Sequence, residues 1–214
     1  MRHALVLATG NAHKLKEIRA ILSSLPVDVL APTDVLTRPP TVVEDGATFA
    51  DNAAKKAVAL ARATMMLTVG DDSGLEVDAL DGAPGVRSAR YAHSRATDGE
   101  NNAALLAALA PFADEPGELR ARFRCVLALV DPLVSLEPHL VSGVCEGMIL
   151  TSPRGAAGFG YDPIFLVDGH DKTMAELTDD EKNAVSHRGR AAAALRDTLE
   201  RALAAREASA RGIG

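Results

Sequence analysis

Phe159 stands between Gly158 and Gly160, with Tyr161 and Asp162 directly behind it, and Lys182, His187 and Arg188 follow farther along the chain. Glycine lets a backbone approach a ligand closely, so the Phe159 ring can act as a platform for a flat, polar heterocycle. Lys182 and Arg188 donate hydrogen bonds and accept none, which suits a ring bearing an exocyclic oxygen. A core phenylalanine in a glycine-rich turn is as compatible with this segment taken alone. Thr9-Gly10-Asn11-Ala12-His13-Lys14 joins an apolar run to a helical pattern. Free N–H groups and the positive end of the helix dipole would meet phosphate oxygens there, and Lys14 adds a full charge. The GxxxxGK[ST] spacing of a Walker loop is absent, and an ordinary capped helix with a solvated lysine has the same residue types. Asp71-Asp72-Ser73-Gly74 closes another apolar run, and Glu44 offers a further carboxylate. Mg²⁺ typically takes one or two protein carboxylates together with phosphate and water. A ring platform, a phosphate turn and metal-binding acids together point to a nucleotide enzyme.

These groups need elements to hold them. Residues 4–8 read as a buried strand feeding a helix with Asn11 as its N-cap, in which Leu15, Ile18 and Ile21 or Leu22 recur at helical spacing. A second strand is expected over residues 27–31 and a loop over 38–41. Thr48 and Asp51 make a capping box for an alanine-rich helix to about residue 63, and Asn52 and Lys56, four apart, share one of its faces. Residues 65–69 form a strand ending at Gly70-Asp71-Asp72, where alternation lets one of the two acids face a ligand. The chain continues extended over 75–80 and turns at 82–85. A helix follows over 97–109, then a surface connection over 111–117. Strands are expected over 121–130, 141–150 and 164–167, the first two in a long antiparallel pairing. Helices over 178–185, capped by Thr178 and Glu181, and over 186–207 close the pattern, leaving 208–214 as a frayed tail. His187 and Arg188 then sit in the first turn of the last helix, where the dipole disfavours cations, so they call for an acceptor-rich partner; Glu181 would also serve. The whole is expected to be a single α/β domain over residues 1–207, a mixed sheet flanked by helices with a cleft between two lobes.

Composition narrows the partners. The formal charge is −6, and no basic run with interleaved aromatics offsets it, so nucleic acid is not an expected partner. No segment reaches 18 apolar residues and the N-terminal apolar run is too short for a signal peptide, so no membrane association is expected and the expected compartment is the cytoplasm. Cys125 and Cys145 lack CxxC spacing and read as buried thiols. The remaining histidines, His3, His93, His139 and His170, show no metal-ligand spacing. With no tryptophan and few aromatics, packing falls to aliphatic side chains and alanine.

Six ordered blocks, at residues 7–14, 44–52, 71–78, 82–91, 158–163 and 172–189, closely resemble the inosine/xanthosine triphosphate pyrophosphatase family, the Ham1-like noncanonical purine NTP pyrophosphatases. The similarity spans about residues 5–195. It implies an elongated α/β fold with a central active-site cleft, and a Mg²⁺-dependent homodimer, with Mn²⁺ as a possible substitute. The implied reaction is hydrolysis of ITP, dITP or XTP to the monophosphate and pyrophosphate, cleansing the nucleotide pool. Carried over by position, Thr9, Gly10, Asn11, Ala12, His13 and Lys14, with Asn52 and Lys56, would hold the phosphates. Glu44 and Asp72 would bind the metal, Asp72 would also accept the proton of the attacking water, and Ser73 would lie beside it. Phe159, Gly160, Tyr161, Asp162, Lys182, His187 and Arg188 would form the purine pocket. Asp51 stands where the family often has Glu, and residues 131–140 match nothing in the pattern.

Two other readings use the same residues. A nucleotide-binding regulator would keep the pocket without turnover, although a sensor has no need of a metal-held water. A nucleotide or sugar-nucleotide phosphohydrolase of different specificity would release other products. Pyrophosphate, inorganic phosphate or no product separates the three.

Overall fold

The apolar run His3–Ala8 forms strand β1, whose last four residues are buried. In the computed structural model, which describes residues 2–113 and 119–212, it lies between two parallel neighbours. Strand β2 (Val27–Leu30) pairs with it on one side and β3 (Thr68–Val77) on the other, in register Ala8 to Gly70. Helix α1 (Ala12–Ile21) follows β1, and the short α2 (Pro32–Val35) follows β2. Helix α3 (Phe49–Thr64) precedes β3, with a reciprocal cap in which Thr48 Oγ1 accepts from the Asp51 N–H while Asp51 Oδ2 accepts from the Thr48 N–H, both at 3.1 Å. Aspartate therefore does the work that glutamate does in the usual box.

The six-stranded sheet runs β2-β1-β3-β4-β5-β6, with β4 at Arg120–Asp131, β5 at Ser135–Ile149 and β6 at Phe165–Val167. Its β2-β1-β3 portion is parallel and β5-β6 antiparallel, so the sheet is mixed as expected. Strands β4 and β5 are neighbours joined across three residues, a connection that only antiparallel strands allow. The stretch that matched no family pattern is thus the tip of this hairpin. Pro138 lies inside β5, outside the Gly147–Ile149 segment that pairs with β6. Helix α4 (Asp98–Leu109) carries a Thr97/Glu100 box; α5 (Asp179–Val185) and α6 (His187–Gly212) close the chain.

Two expectations change. Strand β3 does not stop at Asp72 but continues to Val77, after which residues 78–80 form a single 3-10 turn. Residues 208–212, expected to fray, prolong α6, because Arg206 grips Asp131 at 2.6 and 2.8 Å and Glu207 Oε1 meets His3 Nε2 at 3.1 Å immediately before them. Residues 213–214, and residues 114–117 of the expected surface connection, lie outside the described residues.

The chain gathers into two compact units. The first comprises Met1–Asp72, Val126–Ser142 and Gly189–Gly214, with Val6, Ala8 and Leu60 in its core. The second comprises Ser73–Cys125 and Gly143–Arg188, and its core gathers Leu75, Leu105, Phe123, Tyr161, Ile164, Phe165 and Met174, with Tyr91 packed against it. Both cysteines are buried as free thiols. Among the described residues no helix is long and apolar enough to cross a membrane.

Candidate active site

In the first unit, register decides what meets. Because Ala8 stands opposite Gly70 in parallel strands, the turn after β1 lies level with the acid pair that follows Gly70 within β3, beyond the C-terminal end of β1. That end is where ligands bind in parallel sheets. Thr9 Oγ1 accepts from the Asn11 N–H at 3.1 Å, and Asn11 Oδ1 caps α1 by accepting from the N–H groups of His13 and Lys14 at 2.9 and 3.2 Å. Lys14 Nζ lies 2.7 Å from Asp71 Oδ1, and Asp71 is wholly buried.

A second cation sits deeper. Lys56 Nζ lies 2.8 Å from Asp72 Oδ1 and 2.9 Å from Glu44 Oε2. Asn52, one turn earlier on α3, donates from Nδ2 to Asp72 Oδ2 at 3.2 Å and accepts from the Gly46 N–H at 2.8 Å. It therefore ties the segment bearing Glu44 to the strand bearing Asp72. The close approach of α3 to β3 rests on Gly70, where a Cβ would run into the carbonyl oxygen of Ala53 and come within 2.9 Å of the Ala57 nitrogen.

Burial and charge pull these groups in opposite directions. Burial raises the Asp72 carboxyl above its ordinary value and outweighs the attraction of Lys56 and Lys14. Burial also opposes ionisation of Glu44, but there Lys56 prevails and the carboxyl is lowered. Lys56 is likewise disfavoured by burial, yet Asp72 and Glu44 raise its pKa, so it stays an ammonium.

Two carboxylates within hydrogen-bonding reach of each other and converging on one cation are a hard-oxygen pair suited to a small divalent ion. Among the described residues no group of three or more His, Cys, Asp or Glu gathers as an all-protein metal cage. Beside the pair opens a cavity of about 480 Å³, lined by Thr9, Gly10, Asn11, Ala12, Glu44 and Lys56 and closed by apolar groups such as Leu15, Pro40 and Leu60. Its polar wall is the expected phosphate turn.

The second unit carries the ring platform. Gly158 (φ +77°) and Gly160 (φ +62°) flank Phe159 in left-handed conformations open to glycine. Phe159 is partly exposed, with Lys182 Nζ 4.8 Å and Arg188 Cζ 5.9 Å from its ring centroid. Asp162 Oδ2 accepts from Lys182 Nζ at 2.6 Å and from the Phe159 N–H at 2.8 Å, joining cation and platform. Arg188, 1% exposed, donates to Ser73 Oγ at 2.8 Å. Glu181, the acid that would have satisfied the helix-end cations, instead caps α5 and pairs with Lys172 at 2.9 Å. Tyr161 is buried with its hydroxyl donating to the Ser88 carbonyl at 2.9 Å, and burial raises its pKa.

The structure thus groups Thr9, Asn11, Lys14, Glu44, Asn52, Lys56 and Asp72 in the first unit, and Ser73, Phe159, Gly160, Tyr161, Asp162, Lys182 and Arg188 in the second. His13 is exposed beside the α1 cap. His187 stacks on Phe123, centroids 4.8 Å apart and planes inclined by 13°, and so also serves the core. The amide of Asn52 holds protein groups on both its atoms. Three residues escaped the sequence reading. Asp71 was seen only as half of an acid pair, while Asp98 and Asn102, which contact Gly160 from α4, carried only the i, i+4 spacing common on solvated helix faces.

A profile described as the Ham1 family matches residues 5–198. The chain is 52% identical over 195 residues to a dITP/XTP pyrophosphatase of Geobacter sulfurreducens, covering 91% of this chain and 96% of that one. It is 45% identical over 194 residues to a dITP/XTP pyrophosphatase of Shigella flexneri, with the same coverages of 91% and 96%. Among solved structures, a HAM1 protein from Coxiella burnetii superposes with a TM-score of 0.83 at 42% identity, covering 94% of this chain and all (100%) of that one.

Proposed function

The chain belongs to the Ham1 family, and from that premise we propose that it hydrolyses noncanonical purine nucleoside triphosphates, dITP, ITP and XTP, to the monophosphate and pyrophosphate. The observation that carries this reading is the convergence of Glu44 and Asp72 on one cation position, in a chain whose relatives bear that activity in their names. The first unit offers what a triphosphate requires and the second what a purine requires.

Mg²⁺, replaceable by Mn²⁺, is the proposed cofactor, held by Glu44 and Asp72. When bound it would offset charge on the phosphate oxygens. The N–H groups at the start of α1 cradle the phosphates, and Lys14 and Lys56 neutralise the charge that builds on departing pyrophosphate. Water attacks the α-phosphorus, the bond to the bridging oxygen of pyrophosphate breaks, and the water's proton passes to the Asp72 carboxylate. In the second unit the purine lies on Phe159, with Lys182 and Arg188 as donors to its 6-oxo group, so ATP, which bears an amino group there, is a poor substrate.

The working form is a homodimer in the cytoplasm, where the nucleotide pool lies. Exposed Leu133, Val134 and Leu140 on the β4–β5 hairpin supply apolar surface for such an association; a sedimentation mass of one chain would remove that part of the reading.

The decisive experiment measures pyrophosphate release from ITP, XTP, GTP and ATP at equal concentration with Mg²⁺, alongside an EDTA control. Metal-dependent pyrophosphate from ITP and XTP, with ATP and GTP about tenfold slower or worse, is expected, the scale set by one or two unpaired polar groups. Inorganic phosphate as product, or equal use of all four, would overturn the assignment.

A further inference from the structure

The Phe159 platform is built from the most mobile kind of backbone, a phenylalanine between two left-handed glycines, so its ring direction has to be imposed from outside. Three hydrogen bonds do so. The Phe159 N–H is taken by Asp162 at 2.8 Å, the Gly160 N–H by Asp98 Oδ2 at 2.6 Å, and the Gly160 carbonyl accepts from Asn102 Nδ2 at 3.0 Å. Asp98 and Asn102 are one turn apart at the start of α4 and grip both polar groups of a single residue. A Cβ at Gly160 would meet nothing within 4 Å, so this grip, rather than steric packing at that residue, fixes its peptide groups.

Asn102 shows that the arrangement is not tuned for stability alone. Its Oδ1 is buried with no hydrogen-bond partner among the described residues, a burden that native proteins rarely carry without another use for the side chain. The neighbouring Asn101 satisfies both its amide atoms, on the Ala92 N–H at 3.0 Å and the Ala89 carbonyl at 3.3 Å, as a purely structural asparagine would.

Resting on the purine-pocket reading above, we propose that Asp98 and Asn102 are positioning residues that preorganise the Phe159 ring for the purine base, and so set nucleotide affinity without touching the phosphate chemistry. Binding to an already ordered platform avoids the entropy of ordering it.

The test compares D98A, D98N and N102A with the wild-type chain, using dITP as substrate and inorganic tripolyphosphate, which lacks a base, as competitive inhibitor. D98A and N102A raise KM for dITP about tenfold with kcat within about twofold, the scale of one lost hydrogen bond, and leave the tripolyphosphate inhibition constant unchanged. D98N, whose amide oxygen still accepts from Gly160, behaves as wild type. Unchanged KM in both alanine variants, a parallel rise in the tripolyphosphate constant, or D98N failing as D98A does would overturn the proposal. N102A alone decides if D98A does not fold. A wild-type chain that releases no pyrophosphate from dITP would instead overturn the pocket reading, and the clamp's role with it.

Discussion

Asp72 sits between two pressures: loss of water pushes its carboxyl up, and this prevails over the downward pull of the Lys56 ammonium 2.8 Å away. Replacing it with Asn keeps the shape and the contact with Asn52 but leaves no proton acceptor. Turnover of dITP by D72N is therefore expected to fall about 100-fold or more with KM little changed; near-normal turnover would remove Asp72 from the mechanism. At this scale the sequence was legible where chemistry and spacing coincide. Asn52 and Lys56 could be placed on one helical face, whereas alternation left Asp71 and Asp72 open and only the family resemblance pointed to Asp72 beside Glu44. Asp98 and Asn102 could not be found, because what they hold is the backbone of Gly160, and a backbone carbonyl or N–H leaves no mark on residue type. His187 also packs on Phe123 and Asn52 spans two protein groups, roles the sequence reading did not assign.

Elements place these side chains, and two of them make testable demands. Helix α3 reaches Asp72 only because Gly70 lets it lie against β3. In G70A the added carbon meets the Ala53 carbonyl, so stability is expected to drop by about 1–3 kcal/mol in a denaturant titration, the usual range for overpacking. Activity should fall with it as Lys56 and Asn52 move away from Asp72. Helix α6 is anchored to the end of β4 by Arg206 on Asp131. Burial alone would raise the Asp131 carboxyl, but Arg206 and the Leu133 N–H hold it below its ordinary value. The contribution is therefore full above the unfolded-state pKa and is lost as pH falls through the folded one. D131N should be less stable than wild type by about 1–3 kcal/mol at neutral pH, the range for charged hydrogen bonds, with the gap closing below about pH 4. A gap that persists in acid would mean that the ion pair is not its source. The caps of α1, α3 and α5 were readable because they are local in sequence. The continuation of β3 through two acids was not, since what lets Asp71 and Asp72 stay in a strand is Lys14, Lys56 and Asn52 arriving from helices.

For the molecule as a whole, alternation of strands and helices followed by a run of strands foretold a mixed sheet. Two lobes were expected from the sequence, but the positions at which the chain divides were not legible, because strands β3, β4 and β5 each contribute residues to both units without any change in composition where the division falls. The candidate residues divide in the same way, with Thr9, Lys14, Glu44, Lys56 and Asp72 in the first unit and Phe159, Lys182 and Arg188 in the second. The tyrosines follow suit. The chain has no tryptophan and two tyrosines, Tyr91 and Tyr161, and both belong to the second unit. Tyrosine emission of the unlabelled protein is consequently a built-in local reporter: Tyr161 directly follows the Phe159–Gly160 pair, while the first unit holds no tyrosine. Titration with dITP should alter that emission, and tripolyphosphate at saturation should leave it unchanged.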